Sequence, residues 1–179
     1  MQPAAGRAGR ADAPPRSPLL PSLPTATVRV CIAYDDVAVG RRAMNLAVKL
    51  AADCGSRIDL SPSFWRFDVL ENDSCREAAT DDAEAADVIV MGMSQAENLG
   101  AIDGWLEQAL VRREGSPVAV VALVPESPVP DTRIEARLAV LAEIAGRHGA
   151  DFFVHEPGDE LPVIPPEEAP SGGPFNFKP

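Results

Sequence analysis

Between Val28 and His155 the chain alternates short apolar runs with stretches of helical periodicity, and this alternation constrains the fold more than any other feature. Val28–Tyr34, Asp87–Met93 and Val118–Val124 are nearly continuous apolar runs, as expected of central parallel strands covered on both faces. Arg57–Phe67 carries Ile58, Leu60, Phe64, Trp65 and Phe67 but is interrupted by Pro62, which cannot donate to a ladder, so this strand belongs at an edge. Asp151–His155 is a short last strand.

Four helices are predicted between these runs. In the first, Arg41, Asn45, Lys49 and Asp53 form a polar stripe opposite Ala43, Leu46, Ala47, Leu50 and Ala51. The second opens on a capping box, Ser74-x-x-Glu77, and the fourth on another, Thr132-x-x-Glu135. The third presents Ile102, Trp105, Leu106, Ala109 and Leu110 on one face and stops near Gly115. The fourth buries Ile134, Leu138, Leu141 and Ala145, then ends at Arg147, His148 and Gly149, with basic residues suited to the dipole and glycine to a left-handed cap. A βαβαβαβαβ order closes through right-handed crossovers into an α/β fold. The expected form is a five-stranded parallel sheet, order 2-1-3-4-5, with helices on both faces and the Pro62 strand at one edge.

Prolines mark the limits of this domain. Six lie in 1–24, seven in 157–179 and five between. Both ends are therefore expected to be disordered tails around a domain spanning 25–156, which is long enough for an independent core. The segment 1–24 has no continuous apolar stretch of the kind a secretory signal requires. The longest apolar runs are also far too short to span a bilayer.

The formal net charge of −11 argues against a nucleic-acid or anionic-membrane partner. The basic cluster Arg7, Arg10 and Arg16 sits in the proline-rich tail. Cys31, Cys54 and Cys75 have no C-x-x-C spacing and read as reduced thiols of a cytoplasmic protein. His148 and His155 are not spaced with any cysteine as zinc ligands. There is no G-x-G-x-x-G, P-loop or G-x-S-x-G, and Val37-Ala38-Val39 stands where a flavin phosphate loop would be rich in Ser and Thr.

Ligands of open α/β sheets bind beyond the strand C-termini, at the switch between the first and third strands. The residues there are Asp35 and Asp36 on one side and 94–100 on the other, with Ser94, Gln95, Glu97 and Asn98 supplying polar groups. Asp35, Asp36, Ser94 and Gln95 form the candidate crevice, able to hold a cation, with weak Mg²⁺ as the ion of choice. The competing reading makes Asp36 a helix N-cap and Asp35 its solvated neighbour. Trp65 points opposite to Phe64 along its strand and is the candidate for docking a protein partner or a second copy.

The acidic pair Asp35-Asp36 directly after the first strand, with this topology and length, resembles the receiver domains of two-component response regulators, within the flavodoxin-like superfold. The chain is also similar to small uncharacterised bacterial proteins of that fold. In receivers such a pair helps to hold a divalent metal beside a phosphorylated aspartate. Here the third strand ends Met91-Gly92-Met93-Ser94, with no acceptor aspartate, and the fifth ends Phe153-Val154-His155-Glu156, with no lysine. Ser127 falls near the switch hydroxyl of receivers. The resemblance therefore implies a non-catalytic, unphosphorylated signalling or protein-interaction domain. The alternative is a protein or enzyme that binds a nucleotide or flavin in the same crevice.

Overall fold

The computed structural model describes residues 26–53, 58–94, 100–113, 115–125, 131–156 and 158. The expected tails, together with Cys54, Gln95, Glu97, Asn98 and Ser127, lie outside the described residues, Gly158 apart. The element order is β1 (Ala26–Tyr34), α1 (Val37–Asp53), β2 (Ile58–Arg66), a 3-10 helix (Phe67–Glu71), α2 (Asp73–Glu84), β3 (Val88–Gly92), α3 (Gly100–Arg112), β4 (Ala119–Leu123), α4 (Thr132–Arg147) and β5 (Asp151–His155). All five strands pair in parallel in the order β2-β1-β3-β4-β5, a flavodoxin-like arrangement.

Burial follows strand position. Cys31, Ile32 and Ala33 of β1, Ile89 and Met91 of β3, and Val120 and Ala122 of β4 are shut off from solvent, whereas neither edge strand has a buried residue. The two sheet faces carry unequal cover. On one, α2, α3 and α4 bury Ala79, Ala83, Trp105, Leu106, Leu141 and Ile144 against Cys31, Ile89, Met91 and Val120. On the other, α1 alone among the described helices seats Ala43, with Met44 and Leu46 partly buried, against Val30, Ile32, Val90 and Leu123. All five apolar residues expected on the inner face of α3 are buried. Among those expected on α1, Leu50 is 40% exposed, because no second described helix lies beside the flank that carries Arg42, Leu46 and Leu50. No described helix is long and apolar enough to cross a membrane.

Helix starts differ from the sequence expectation by one or two residues. Asn72, not Ser74, caps α2: its side-chain oxygen accepts from the N–H groups of Ser74 (3.1 Å) and Cys75 (3.2 Å). Glu77 turns instead to Arg112 of α3, at 2.7 Å. Asp131, not Thr132, caps α4 and accepts from the Arg133 N–H at 2.9 Å. Asn72 and Asp131 are the residues with extended backbone, from which a side chain can turn back onto the first turn. The C-terminus of α4 follows expectation. Gly149 has φ +71°, Ala150 donates to the Ala145 carbonyl and Gly149 to that of Gly146, which together make a Schellman motif.

Beyond Arg66 the second strand stops, and Phe67, expected as its last residue, opens the 3-10 helix and is buried with Leu70. Polar side chains then lock the helical layer. Arg113 donates to the carbonyls of Ala83, Glu84 and Ala86 at the end of α2 and to Pro117. Burial holds its pKa below the ordinary guanidinium value. Asp103 of α3 pairs with Arg137 of α4 at 2.7 Å. Burial raises the Asp103 pKa, partly offset by the Arg137 charge and its hydrogen bond.

Candidate functional site at the C-terminal ends of the strands

At the switch point β1 gives way to Asp35 and Asp36, and β3 to Met93 and Ser94. The β1–β3 ladder runs one residue past the strand, through Asp35 N–H to the Gly92 carbonyl at 3.2 Å. The two carboxylates then take separate tasks. Asp36 Oδ1 accepts from the Ala38 N–H at 2.7 Å and its carbonyl accepts from Gly40 N–H at 3.0 Å, so Asp36 is the N-cap of α1. Asp35 faces the other way. Its Oδ2 accepts both the backbone N–H (2.6 Å) and the hydroxyl (2.9 Å) of Ser94. These charge-assisted bonds tie the loop after β1 to the loop after β3 across the mouth of the crevice. Asp35 is thus a bridge between loops rather than the solvated neighbour that the capping reading assumed.

Beneath this bridge the floor is filled. A Cβ on Gly92 would lie 2.6 Å from Val39 Cγ1, and one on Gly40 would lie 3.0 Å from the Tyr34 ring. Val39 in the first turn of α1 therefore rests directly on the end of β3, and Tyr34 lies under Gly40. Close approach of this kind is the use of glycine at the end of a strand. The next residue, Met93, is buried in the core below α2 and α3. Neither Gly92 nor Met93 can present an acidic group to the crevice. On the far flank of α1, Arg42 donates through Nη2 to the Val124 carbonyl just beyond β4.

Ser94 has a carboxylate partner but no imidazole. His155 ends β5, with β4 between it and β3, so two strand spacings, roughly 10 Å, separate the strand ends that carry Ser94 and His155. Among the described residues no group of three His, Cys, Asp or Glu could hold a metal ion. A weakly held Mg²⁺ would thus draw on Asp35 and Asp36 after each has committed an oxygen to protein donors. Cys31 lies on the opposite sheet face, and burial pushes its thiol up to about 12.

The aromatic edge divides between the two sheet faces, and Trp65, the candidate docking residue, is partly buried. Trp65 packs against the larger core cluster, and its Nε1 donates to Asp82 Oδ2 of α2 at 2.9 Å. Phe64, on the α1 side beside Ile32, is 45% exposed. Trp65 is a strut between β2 and α2; the exposed aromatic is its neighbour. Sequence reading missed Asp82, Val39 and Arg42 as partners. Gly92, closing an apolar run, was the one sequence signal of a close approach.

No protein-family model, curated protein or solved structure matches this chain.

Proposed function

We propose that this chain is a non-catalytic, receiver-like signalling or protein-interaction domain that works without phosphorylation. The observation that carries the reading is the engagement of the crevice with itself. Asp36 is spent on capping α1, Asp35 on Ser94, and the end of β3 is a glycine pressed against Val39. A phosphoryl-transfer or hydrolytic site needs a nucleophile with a base, or a metal cage, poised toward the substrate. These groups point at one another instead.

The test is an amide chemical-shift map of the full chain with Mg²⁺ and beryllofluoride, followed by nucleotides and flavins. No shifts clustered at Asp35, Asp36 and Ser94 are expected. Saturable shifts there with beryllofluoride would make the chain an active receiver. Saturable shifts with a nucleotide or flavin would make it a small-molecule binder.

A further inference from the structure

The sheet has two edges, and among the described residues only one is guarded. On β2, Pro62 removes a main-chain donor, and Asp59, Ser61, Ser63 and Arg66 make the strand polar. β5, Asp151-Phe-Phe-Val-His155, has no proline or lysine, and no described residue pairs with its outer side. Phe153 is 51% and Val154 41% exposed, on opposite faces. Phe153 is opposite Val121 on the side that α1 leaves partly bare, while Phe152 packs toward the cluster under α4.

We propose that this edge pairs with the β5 edge of a second copy of the chain, antiparallel, about a two-fold axis at Phe153. The main-chain directions fit. Asp151 donates to the Val118 carbonyl, and the His155 carbonyl accepts from Val124. Because alternate residues of a strand face a given neighbour, Asp151, Phe153 and His155 spend their main-chain groups on β4. Phe152 and Val154 turn theirs outward. In the proposed register Phe152 lies opposite the partner's Val154, and each such pair exchanges both its N–H···O bonds.

Side chains select the same register. Phe153 meets the partner's Phe153 in a non-hydrogen-bonded pair, where side chains approach most closely. Asp151 falls opposite the partner's His155, an acid against a base. On the other face Phe152 and Val154 meet the partner's Val154 and Phe152, so both sides of the seam are apolar at their centre. Sliding the strands by two residues keeps the main-chain pattern. It sets Asp151 against the partner's Phe153, or Phe153 against the partner's His155. Both slips lose the Asp151–His155 pairs and the aromatic pair. The interface is isologous and closes, and it buries the one unguarded edge in a continuous ten-stranded sheet. It uses no group of the crevice and so stands apart from the proposed function.

Light scattering on the full chain, with dilution, reads the assembly; a concentration-dependent dimer is expected. Val154→Pro deletes an outward N–H and spares the β4 ladder, so it should yield a folded monomer. Asp151→Lys should weaken the dimer roughly tenfold, and adding His155→Glu should restore it. Phe153→Cys should form a disulfide-linked dimer on mild oxidation, and Val154→Cys should not, since only position 153 faces itself across the axis. A wild type that stays monomeric at high concentration overturns the proposal. So does a dimer that survives Val154→Pro, or equal crosslinking at 153 and 154.

Discussion

Gly92→Ala is the substitution whose sign depends most directly on the close approach of α1 to β3. Gly92 is not among the glycines with positive φ. By backbone entropy alone, alanine there should stabilise the fold by about 0.4–1 kcal/mol. The new methyl, however, would sit 2.6 Å from Val39 Cγ1 and only in ordinary contact with Tyr34 Cβ, at 3.4 Å. A valine in a helix is held to one χ1 well, so Val39 cannot swing aside freely. The substitution should therefore destabilise by about 1–3 kcal/mol, the usual cost of overpacking. Val39→Ala removes two buried methyl groups, for about 2 kcal/mol with the cavity term. In that background the obstructing atom is gone, and Gly92→Ala should become neutral or mildly stabilising. The coupling in the double-mutant cycle is then roughly 1–4 kcal/mol. Urea unfolding followed by far-UV circular dichroism measures all four species, and each kcal/mol corresponds to about 2–4 °C in Tm. A stabilising Gly92→Ala in the wild-type background, or additive effects, would refute the close approach. It would also reopen the end of β3 as a place where a side chain could enter the crevice.

Three further outcomes are expected. Asn72→Ala should cost about 1 kcal/mol as a lost cap, and Ser74→Ala only a few tenths; the reverse order in thermal unfolding would restore Ser74 as the cap. Trp65→Ala should cost about 3 kcal/mol or more and Phe64→Ala less than about 1, with Trp65→Phe near 1 for the lost bond to Asp82; equal losses at 64 and 65 would contradict the burial asymmetry. Cys31 should resist a thiol reagent at pH 8 until the protein unfolds, as peptide mapping of labelled protein reads directly, and early labelling would refute its burial. Its raised pKa also sets a sign. The folded state holds that proton more tightly than the unfolded chain, so this contribution to stability is complete below the ordinary value of 9.0 and declines as pH rises toward about 12.

The amino-acid sequence by itself determined the architecture. The periods of the apolar residues distinguish strands from helices, and their alternation with short connections leaves few ways to close the sheet. Pro62 placed β2 at an edge because it lacks a main-chain donor, and Gly149 marked the end of α4 because glycine alone enters the left-handed region without penalty; both properties belong to the residue wherever the chain goes. What remained open was which of several competent groups is used. The acidic pair could be read as a cap or as a crevice; the tertiary structure divided it, giving Asp36 to its own helix and Asp35 to Ser94, 59 residues away. Trp65 and Phe64 differ little as sequence, yet the packing of α2 on one face and α1 on the other made one a strut and left the other exposed. At the helix starts Asn72 and Asp131 displaced Ser74 and Thr132, because the entering backbone decides where the helix begins. Backbone preference acts on neighbours in the chain and can be read along it. The partner of a polar or aromatic side chain is chosen by residues that only folding brings near, and at this crevice that choice turned the acidic pair into structural ties.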